Sequence, residues 1–448
     1  MCSPTSKDPF HVAIIGAGIT GVSIALSLEA RGVSYTIYER ASGFREIGAG
    51  IGFSPNAEHA MKTLNPAMFA AYRRAANPNG EDYFQWVDGY ETNDLIFKLH
   101  IGKDGFQGGL RSAFLDEWSK LIPPGAVQFD RQLDTITDPI SDASSSGKLL
   151  IRFTDGTTAT ADAVIGCDGI RSRVRQIIAP DSPTRPGYTQ KFCFRALAPM
   201  SAAVAALGQA RTSTRFMYNG PGAHIITYPV ADGSLLNILA VLSDPNPAWP
   251  HPRHTATGSK AEVEAAFASW CTIVRAIVDL LPDGEDGSGR LDKWGIFDLA
   301  ADPLPRFHDG RVCVAGDAAH ATSPHLGAGA GMGIEDALVL GALLAEVGKR
   351  WIQAENESSG SKVRLVEKAL EVYNDVRYLR TQDVIHSSRK ACDLFHWRDP
   401  AVARDPERFG KEITELFHRI WKYDVDGMVE EAMAKLVEGV HLKCLLFP

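Results

Sequence analysis

The chain's first apolar run, Val12-Ala13-Ile14-Ile15, has no polar residue alternating through it. Such a run predicts a strand covered on both faces, as in a parallel sheet. It breaks into Gly16-Ala17-Gly18-Ile19-Thr20-Gly21, continues through Ala25 and Leu28 at helical spacing, and passes Gly32 to a second apolar stretch ending in Glu39. Two further buried-type runs, Ala163-Val164-Ile165-Gly166 and Arg311-Val312-Cys313-Val314-Ala315-Gly316, also lead into glycine-bearing turns. Between them the pattern changes. Residues 190–245 alternate apolar and polar positions, as in His224-Ile225-Ile226-Thr227-Tyr228-Pro229-Val230, and predict antiparallel strands. Residues 83–99 read as strands leaving the first unit, and Leu110-Arg111-Ser112-Ala113-Phe114-Leu115 opens an amphipathic helix. A hairpin is expected around the Ser/Gly-rich turn at 141–147, and a long helix from about Gly333. After the polar linker at 355–362 the chain reads as helices to its end. The expected class is α/β. A Rossmann-like domain at 1–80, 105–185 and 290–370 is interleaved with an antiparallel-sheet domain at 81–104 and 186–289, and a helical segment covers 371–448.

The first motif predicts a dinucleotide site. Gly16 permits the turn, Gly18 lets the backbone approach a pyrophosphate, and Gly21 allows close packing of helix on strand. The helix start offers N–H groups to an anion. Glu39 stands where an acid accepts hydrogen bonds from a ribose diol. At 448 residues the chain has room for two or three domains, and 45% hydrophobic with 22% charged residues is ordinary for a soluble protein. A net charge of −8, with no dense Lys/Arg block, argues against a nucleic-acid surface. The seven cysteines, Cys2, Cys167, Cys193, Cys271, Cys313, Cys392 and Cys444, are widely spaced with no CxxC pair. Reduced thiols in a cytoplasmic protein are expected, and no metal site. No stretch of 18 apolar residues predicts a membrane span, and the run at 12–28 lacks the basic flank of a signal peptide. The oligomeric expectation is a monomer or homodimer.

Two later motifs sharpen the picture. The second is Cys167-Asp168-Gly169-Ile170-Arg171-Ser172-Arg173-Val174-Arg175, whose plain structural alternative is a capped turn with solvated arginines. The third is Gly316-Asp317-Ala318-Ala319-His320, then Pro324-His325-Leu326-Gly327-Ala328-Gly329, then Glu335-Asp336-Ala337; its alternative is a glycine-rich loop capping a helix. Taken in order, the three resemble the single-component FAD-dependent aromatic monooxygenases of the p-hydroxybenzoate and salicylate hydroxylase type. The match runs over about residues 10–345. The resemblance implies a GR2-type FAD-binding domain and three co-reactants: FAD, a transient NADPH or NADH, and O2. It implies that Glu39 takes the adenosine ribose, Arg111 reaches the cofactor, Asp317 holds the ribityl chain, and Asp168 serves both FAD and the passing nicotinamide. Arg40, Gly52, Pro324, Gly327, Ala328, Gly329 and Ala330 complete the implied cofactor contacts, the helix N–H groups at 327–333 facing the flavin ring.

Finer segments are similar to the fungal enzymes that hydroxylate and dearomatise polyketide phenols on the way to tropolones, azaphilones and sorbicillinoids. These are 44–51, Trp86-Val87-Asp88-Gly89-Tyr90, Lys191-Phe192-Cys193-Phe194-Arg195 and Tyr228-Pro229-Val230. There an Arg and a Tyr hold the phenolate, and Arg195 and Tyr228 take the matching positions. A C4a-hydroperoxyflavin delivers electrophilic oxygen, so the ring must be electron-rich; a guanidinium with a phenol O–H binds a phenolate and lowers its pKa. The plain alternatives are a sheet-surface ion pair for Arg195 and a satisfied core tyrosine for Tyr228. His325 is a candidate for moving a proton, with loop packing as its alternative; His320 is expected to pack structurally. Leu326 stands where decarboxylating salicylate hydroxylases usually carry glutamine, so a salicylate-type hydroxylation without dearomatisation is the second reading. A flavin halogenase lacks its Trp-x-Trp signature here, and an isoprenoid epoxidase lacks its membrane-associated segments. An NAD-dependent dehydrogenase would leave the Gly316-Asp317 motif without a purpose. A flavin-binding regulatory protein is the non-enzymatic alternative.

Overall fold

The computed structural model describes residues 9–44, 50–102, 105–138, 147–181, 185–284, 287–353 and 359–446. Cys2, residues 45–49 of the 44–51 motif, residues 141–146 of the expected turn and residues 355–358 of the linker lie outside them. The runs that are apolar on both faces pair in parallel. They form a six-stranded sheet ordered His308–Asp309, Val312–Val314, Ala163–Gly166, His11–Ile15, Ser34–Tyr38, Val127–Gln128. Only the edge pair, His308–Asp309 on Val312–Val314, is antiparallel. The helix Ile19–Glu29 crosses between the first two strands and packs on the helix Gly329–Gln353. That second helix begins at Gly329 rather than near Gly333. Glycines weaken a helix pattern, but here they allow contact: a Cβ on Gly333 would overlap Thr20 Oγ1, and one on Gly341 would overlap Ser27 Oγ.

An eight-stranded sheet forms the second layer, ordered Thr255–Ser259, Arg290–Asp298, Gly187–Pro199, Leu235–Ser243, Ala223–Val230, Arg215–Gly220, Tyr83–Asp88, Leu95–His100. It is antiparallel except where Arg215–Gly220 lies parallel to Tyr83–Asp88. The strand Arg290–Asp298 belongs here, although the expected boundary at 289 put it with the nucleotide domain. It pairs with both Thr255–Ser259 and Gly187–Pro199. One face of the sheet, with Phe194, Ile225, Ile238 and Tyr218, is buried with Val263, Phe267, Val274 and Ile277 of two surface helices. The expected hairpin becomes a small three-stranded sheet of Leu133–Thr137, Leu149–Phe153 and Thr158–Ala161. The C-terminal helices include Ser359–Phe395, Pro406–Trp421 and Val425–Leu446. Phe409, Ile413 and Phe417 of the middle one pack on Trp86 and Phe84 of the sheet. No helix among the described residues is long and apolar enough to cross a membrane.

A buried ionic cluster joins these parts. Glu335, Asp336 and Arg377 are each fully buried. Arg377 donates from Nε to Asp336 Oδ1 at 2.8 Å, from Nη1 to Glu335 Oε2 at 2.5 Å, and from Nη2 to the Met332 carbonyl at 3.1 Å. Asp336 Oδ2 accepts from the Gly316 amide at 2.9 Å and meets His320 Nε2 at 2.6 Å. Glu335 Oε1 accepts from Asn56 Nδ2 at 2.7 Å and from Arg380 Nη2 at 3.2 Å. Burial by itself raises the pKa of both carboxyls; the positive partners, His320 and Arg377 at Asp336 and Arg377 and Arg380 at Glu335, outweigh it and hold both below their ordinary range.

Arg377→Met is expected to lower stability by about 3–5 kcal/mol, because it leaves two buried carboxylates without their cation. Urea unfolding checks this; a change within about 0.5 kcal/mol contradicts it. Since both folded pKa values are depressed, the cluster's contribution is whole above about pH 5 and is lost as the pH falls through the lowered values. The wild-type midpoint is therefore expected to fall more steeply below about pH 5 than that of Arg377→Met.

Candidate active site

A long trough runs between the two sheets, and the glycine turn forms its middle. Gly16 has φ +106°, and a Cβ there would lie 2.5 Å from the Cys167 carbonyl oxygen. Only glycine fits both demands. Gly21 carries the same constraint from the other side, since its Cβ would overlap the Gly16 carbonyl. A Cβ on Gly18 would meet only Arg111 Nη2, at 3.8 Å, so the backbone there faces open space beside a guanidinium. One cavity of about 500 Å³ extends from this point past Tyr38, Glu39, Arg40 and Asp168. A second, of about 320 Å³, extends past Gly52, Arg111, Asp317 and the 322–330 loop to the eight-stranded sheet. Gly18, Arg111, Cys167 and Gly169 line both.

The donor set suits a dinucleotide. The strand stops at Tyr38, and Glu39 follows it with a half-buried carboxylate. Its Oε2 accepts from the Ala17 amide and its Oε1 from the Ala41 amide, each at 2.8 Å. Those bonds aim the carboxylate and leave it lone pairs for a diol. Neither the helix Ile19–Glu29 nor the helix Gly329–Gln353 has an acid in its first turn, so both positive dipole ends are left to a ligand. Gly327, at φ +62°, turns the chain from the short 3-10 helix Pro324–Leu326 toward the second of these, with Gly329 and Ala330 on the cavity wall. Asp317, exposed at the start of Asp317–His320, stands at the same wall.

Asp168 lines the larger cavity and is also bonded to the helix that follows it. Its Oδ2 accepts from the Arg173 amide at 2.6 Å and the Val174 amide at 3.1 Å, and Ser172 Oγ donates to Oδ1 at 2.5 Å. The carboxylate mainly caps the helix Arg173–Ile178. The arginines after it are not simply solvated: Arg175 is buried and donates to the Ala318 carbonyl at 2.9 Å, which ties the second motif to the third.

The cavity face of the eight-stranded sheet follows from its period of two. Arg195 on Gly187–Pro199, Leu239 and Asn237 on Leu235–Ser243, Tyr228, Ile226 and His224 on Ala223–Val230, and Met217 and Arg215 on Arg215–Gly220 all line the smaller cavity. The structure therefore brings Arg195 and Tyr228 together on one wall, opposite the loop bearing Pro324, His325, Gly327, Ala328, Gly329 and Ala330. Arg195 is half-buried with its guanidinium 5.0 Å from the Trp294 ring centre, and it makes no ion pair among the described residues. Burial raises the Tyr228 pKa, and the positive charges of Arg215 and Arg195 act against that rise.

His325 belongs to an imidazole cluster. Its ring centre lies 5.6 Å from that of His224, and its buried Nδ1 has no hydrogen-bond partner. His224 Nδ1 meets His396 Nε2 at 2.9 Å, and His396 Nδ1 meets Ser243 Oγ at 2.9 Å. Burial holds all three imidazoles in the neutral form, with His224 pushed down to about 3 and the other two well below their ordinary value. His320 is structural, bonded to Asp336. The described cysteines Cys167, Cys193, Cys271, Cys313 and Cys392 are all free thiols. Sequence reasoning missed Arg215, His224, Asn237 and Arg377. Residue parity along 223–230 places His224 and Ile226 with Tyr228, but Arg215 and Asn237 emerge only once the strands are in register.

Known proteins agree with this geometry. The FAD binding domain family matches residues 123–358. The chain is 49% identical over 438 residues to the FAD-dependent monooxygenase orf3 of Aspergillus niger, covering 95% of this chain and 96% of that one. It is 40% identical over 446 residues to the salicylate hydroxylase asL1 of Sarocladium schorii, covering 95% and 90%. Among solved structures it matches a salicylate hydroxylase substrate complex with a TM-score of 0.80 at 29% identity, over 95% of this chain and 98% of that chain. FAD is the cofactor for which this trough is built.

Glu39→Ala removes a charged acceptor facing the nucleotide end of the trough. FAD is expected to bind roughly tenfold to hundredfold more weakly, the loss of about 1.5–3 kcal/mol for hydrogen bonds to a charged group. Flavin release on gel filtration and titration of the apoprotein with FAD check this, with circular dichroism confirming the fold. Unchanged FAD affinity contradicts it.

Proposed function

The chain belongs to the family of FAD-dependent monooxygenases, and from there we propose that it hydroxylates a phenolic polyketide of the resorcylic aldehyde or ketone type, with dearomatisation of the ring, in fungal-type secondary metabolism. NADPH or NADH serves as the transient reductant and O2 as the oxidant. The observation that carries the reading is the wall shared by Arg195 and Tyr228, opposite the helix start at Gly329.

Bound and reduced, FAD would activate O2 as an electrophilic oxygen donor; the residues of this chain prepare the ring that receives the oxygen. Arg195 provides a guanidinium and Tyr228 a hydroxyl toward one phenolic oxygen. A charge-assisted hydrogen bond in a shielded cavity favours the anionic form and lowers the phenol's pKa. The phenolate directs electron density to its ortho and para carbons. Where the attacked carbon carries a methyl or other carbon group, no proton can leave from it, and the product is a hydroxy-cyclohexadienone. His325, a neutral imidazole with an Nδ1 unpartnered among the described residues at the same cavity, offers the phenol a hydrogen-bonding nitrogen, while its lowered pKa opposes keeping the proton on the ring. Asp317 is assigned to the ribityl chain, and Arg111 and the helix starts to the pyrophosphate and flavin ring. Asp168, at the wall of the larger cavity, is assigned to FAD and the passing nicotinamide, with its carboxylate also capping the following helix.

A second reading, hydroxylation of a salicylate-type acid with aromaticity retained, is favoured by the likeness to the salicylate hydroxylase substrate complex. Leu326 in the loop, fully apolar and buried, weighs against a polar contact to a carboxylate there.

Arg195→Ala and Tyr228→Phe are expected to reduce substrate-dependent product formation, the arginine by about tenfold to hundredfold, while FAD stays bound. In the wild type the bound phenol is expected to show its phenolate absorbance at a pH below its pKa in water, and in Arg195→Ala to lose it. Product formation unchanged in both variants refutes the assignment.

A further inference from the structure

The cavity wall carries a second guanidinium that the phenolate site does not use. Arg215 is 3% exposed, yet it has no carboxylate partner among the described residues. Its one hydrogen bond is from Nη1 to the side-chain oxygen of Asn79, a neutral group. Its other contacts are aromatic: the guanidinium carbon lies 4.9 Å from the Phe106 ring centre and 5.6 Å from that of Tyr228. The acid that influences it, Glu58, is held by the Tyr72 hydroxyl at 2.5 Å. Buried charges are ordinarily paired, because an unpaired one forfeits its solvation. The strain of this arrangement shows in a pKa pushed down by burial to about 10. Among the described residues lining the cavity, Asp317, at the cofactor wall, is the one acid, and Arg195 and Arg111 add two more cations.

The register sets the spacing. Phe216 pairs with Thr227, so Arg215 stands beside Tyr228, while Arg195 pairs with Leu239 two strands beyond. Three strand spacings separate the two arginines, about 14 Å between their strands at roughly 4.8 Å each. Arg195 stands in the row of Leu239, Ile226 and Met217, the next side-chain row from Asn237, Tyr228 and Arg215, and all of them line the same cavity.

We propose that Arg215 is a second substrate anchor, which binds a delocalised oxyanion, a carboxylate or the enolate of a 1,3-dicarbonyl, on the side of the ring away from the oxygen held at Arg195. This rests on the reading of Arg195 and Tyr228 as the phenolate site. The ligand's anion supplies the counter-charge that the fold withholds, so the binding selects phenols bearing an acidic substituent over those with neutral ones. Two oxygens match the planar fork of the guanidinium, which a lysine would not.

The test uses the FAD-loaded enzyme and a matched pair of probes, 2,4-dihydroxy-6-methylbenzoate and 3,5-dihydroxytoluene, which is the same ring without the carboxylate. Binding is followed by perturbation of the flavin spectrum. The wild type is expected to bind the acid roughly tenfold to hundredfold more tightly than the toluene. Arg215→Gln is expected to remove that preference, and Arg215→Lys to keep part of it. Asn79→Asp, which hands Arg215 a carboxylate of its own, is expected to abolish the preference without touching Arg215, so the idea stands or falls even if Arg215→Gln does not fold. Equal binding of both probes by the wild type, or a preference that survives in Asn79→Asp and Arg215→Gln, overturns the anchor. Because no turnover is needed, an acid that binds through Arg215 but yields no hydroxylated product defeats the functional reading alone.

Discussion

At the Asp317 end of the trough, the strand end at Gly316 and the helix that starts at Gly329 are held by one buried ion cluster, Arg377 against Glu335 and Asp336. The two acids sit on the helix Gly329–Gln353, just beyond the turn that faces the cavity, and the arginine comes from the C-terminal helix Ser359–Phe395. Asp336 also holds the Gly316 amide, where the strand Val312–Val314 turns toward Asp317. Strand end, helix start and C-terminal helix are thus clamped through the same few atoms. Such a cluster yields less net stability than its contacts suggest, since each charge has lost its water. Its bonds are directional, however, and direction is what a helix start needs if its N–H groups are to face a ligand.

The lining of the trough is rich in arginine, with Glu39, Asp168 and Asp317 as acids on its walls. Under the proposed reading, the start of the helix Ile19–Glu29 and Arg111 take the pyrophosphate and the start of Gly329–Gln353 takes the flavin ring. Arg195 and Arg215 line the cavity from the sheet and are assigned to the substrate. In a cavity with walls of Phe84, Phe106, Met217 and Leu326, these charges act with little screening. The chain's net charge is −8, so this polarity is local. In the proposed reading, cofactor and phenolate meet beside these positive groups, which favour electrons on both.

The parts of this site legible in sequence are those formed by residues close along the chain. The turn Gly16 to Gly21 and the acid at Glu39 report their geometry locally, since the steric demand at Gly16 and the spacing to Glu39 are written into consecutive residues. The parallel strands were legible because a strand buried on both faces is apolar throughout. Elements that depend on pairing were not. Arg290–Asp298 alternates too weakly to reveal that it joins the larger sheet, and Arg215 meets Tyr228 only through register. The helix start at Gly329 was masked by the very glycines that its packing on Thr20 requires. Arg377 looked like one more charged position in a polar helix, because its acids lie far away along the chain. Asp168 shows the converse: its motif was visible, but its carboxylate is engaged by the following helix as well as lining the trough.

The most direct measurement is the mass and ultraviolet spectrum of the product after aerobic incubation of the FAD-loaded enzyme with NADPH and an alkylated 2,4-dihydroxybenzaldehyde. The account predicts one added oxygen with loss of the aromatic band, the mark of a ring hydroxylated at a carbon that cannot release a proton. One added oxygen with the aromatic band intact, or NADPH consumed with no oxygenated product, would contradict it.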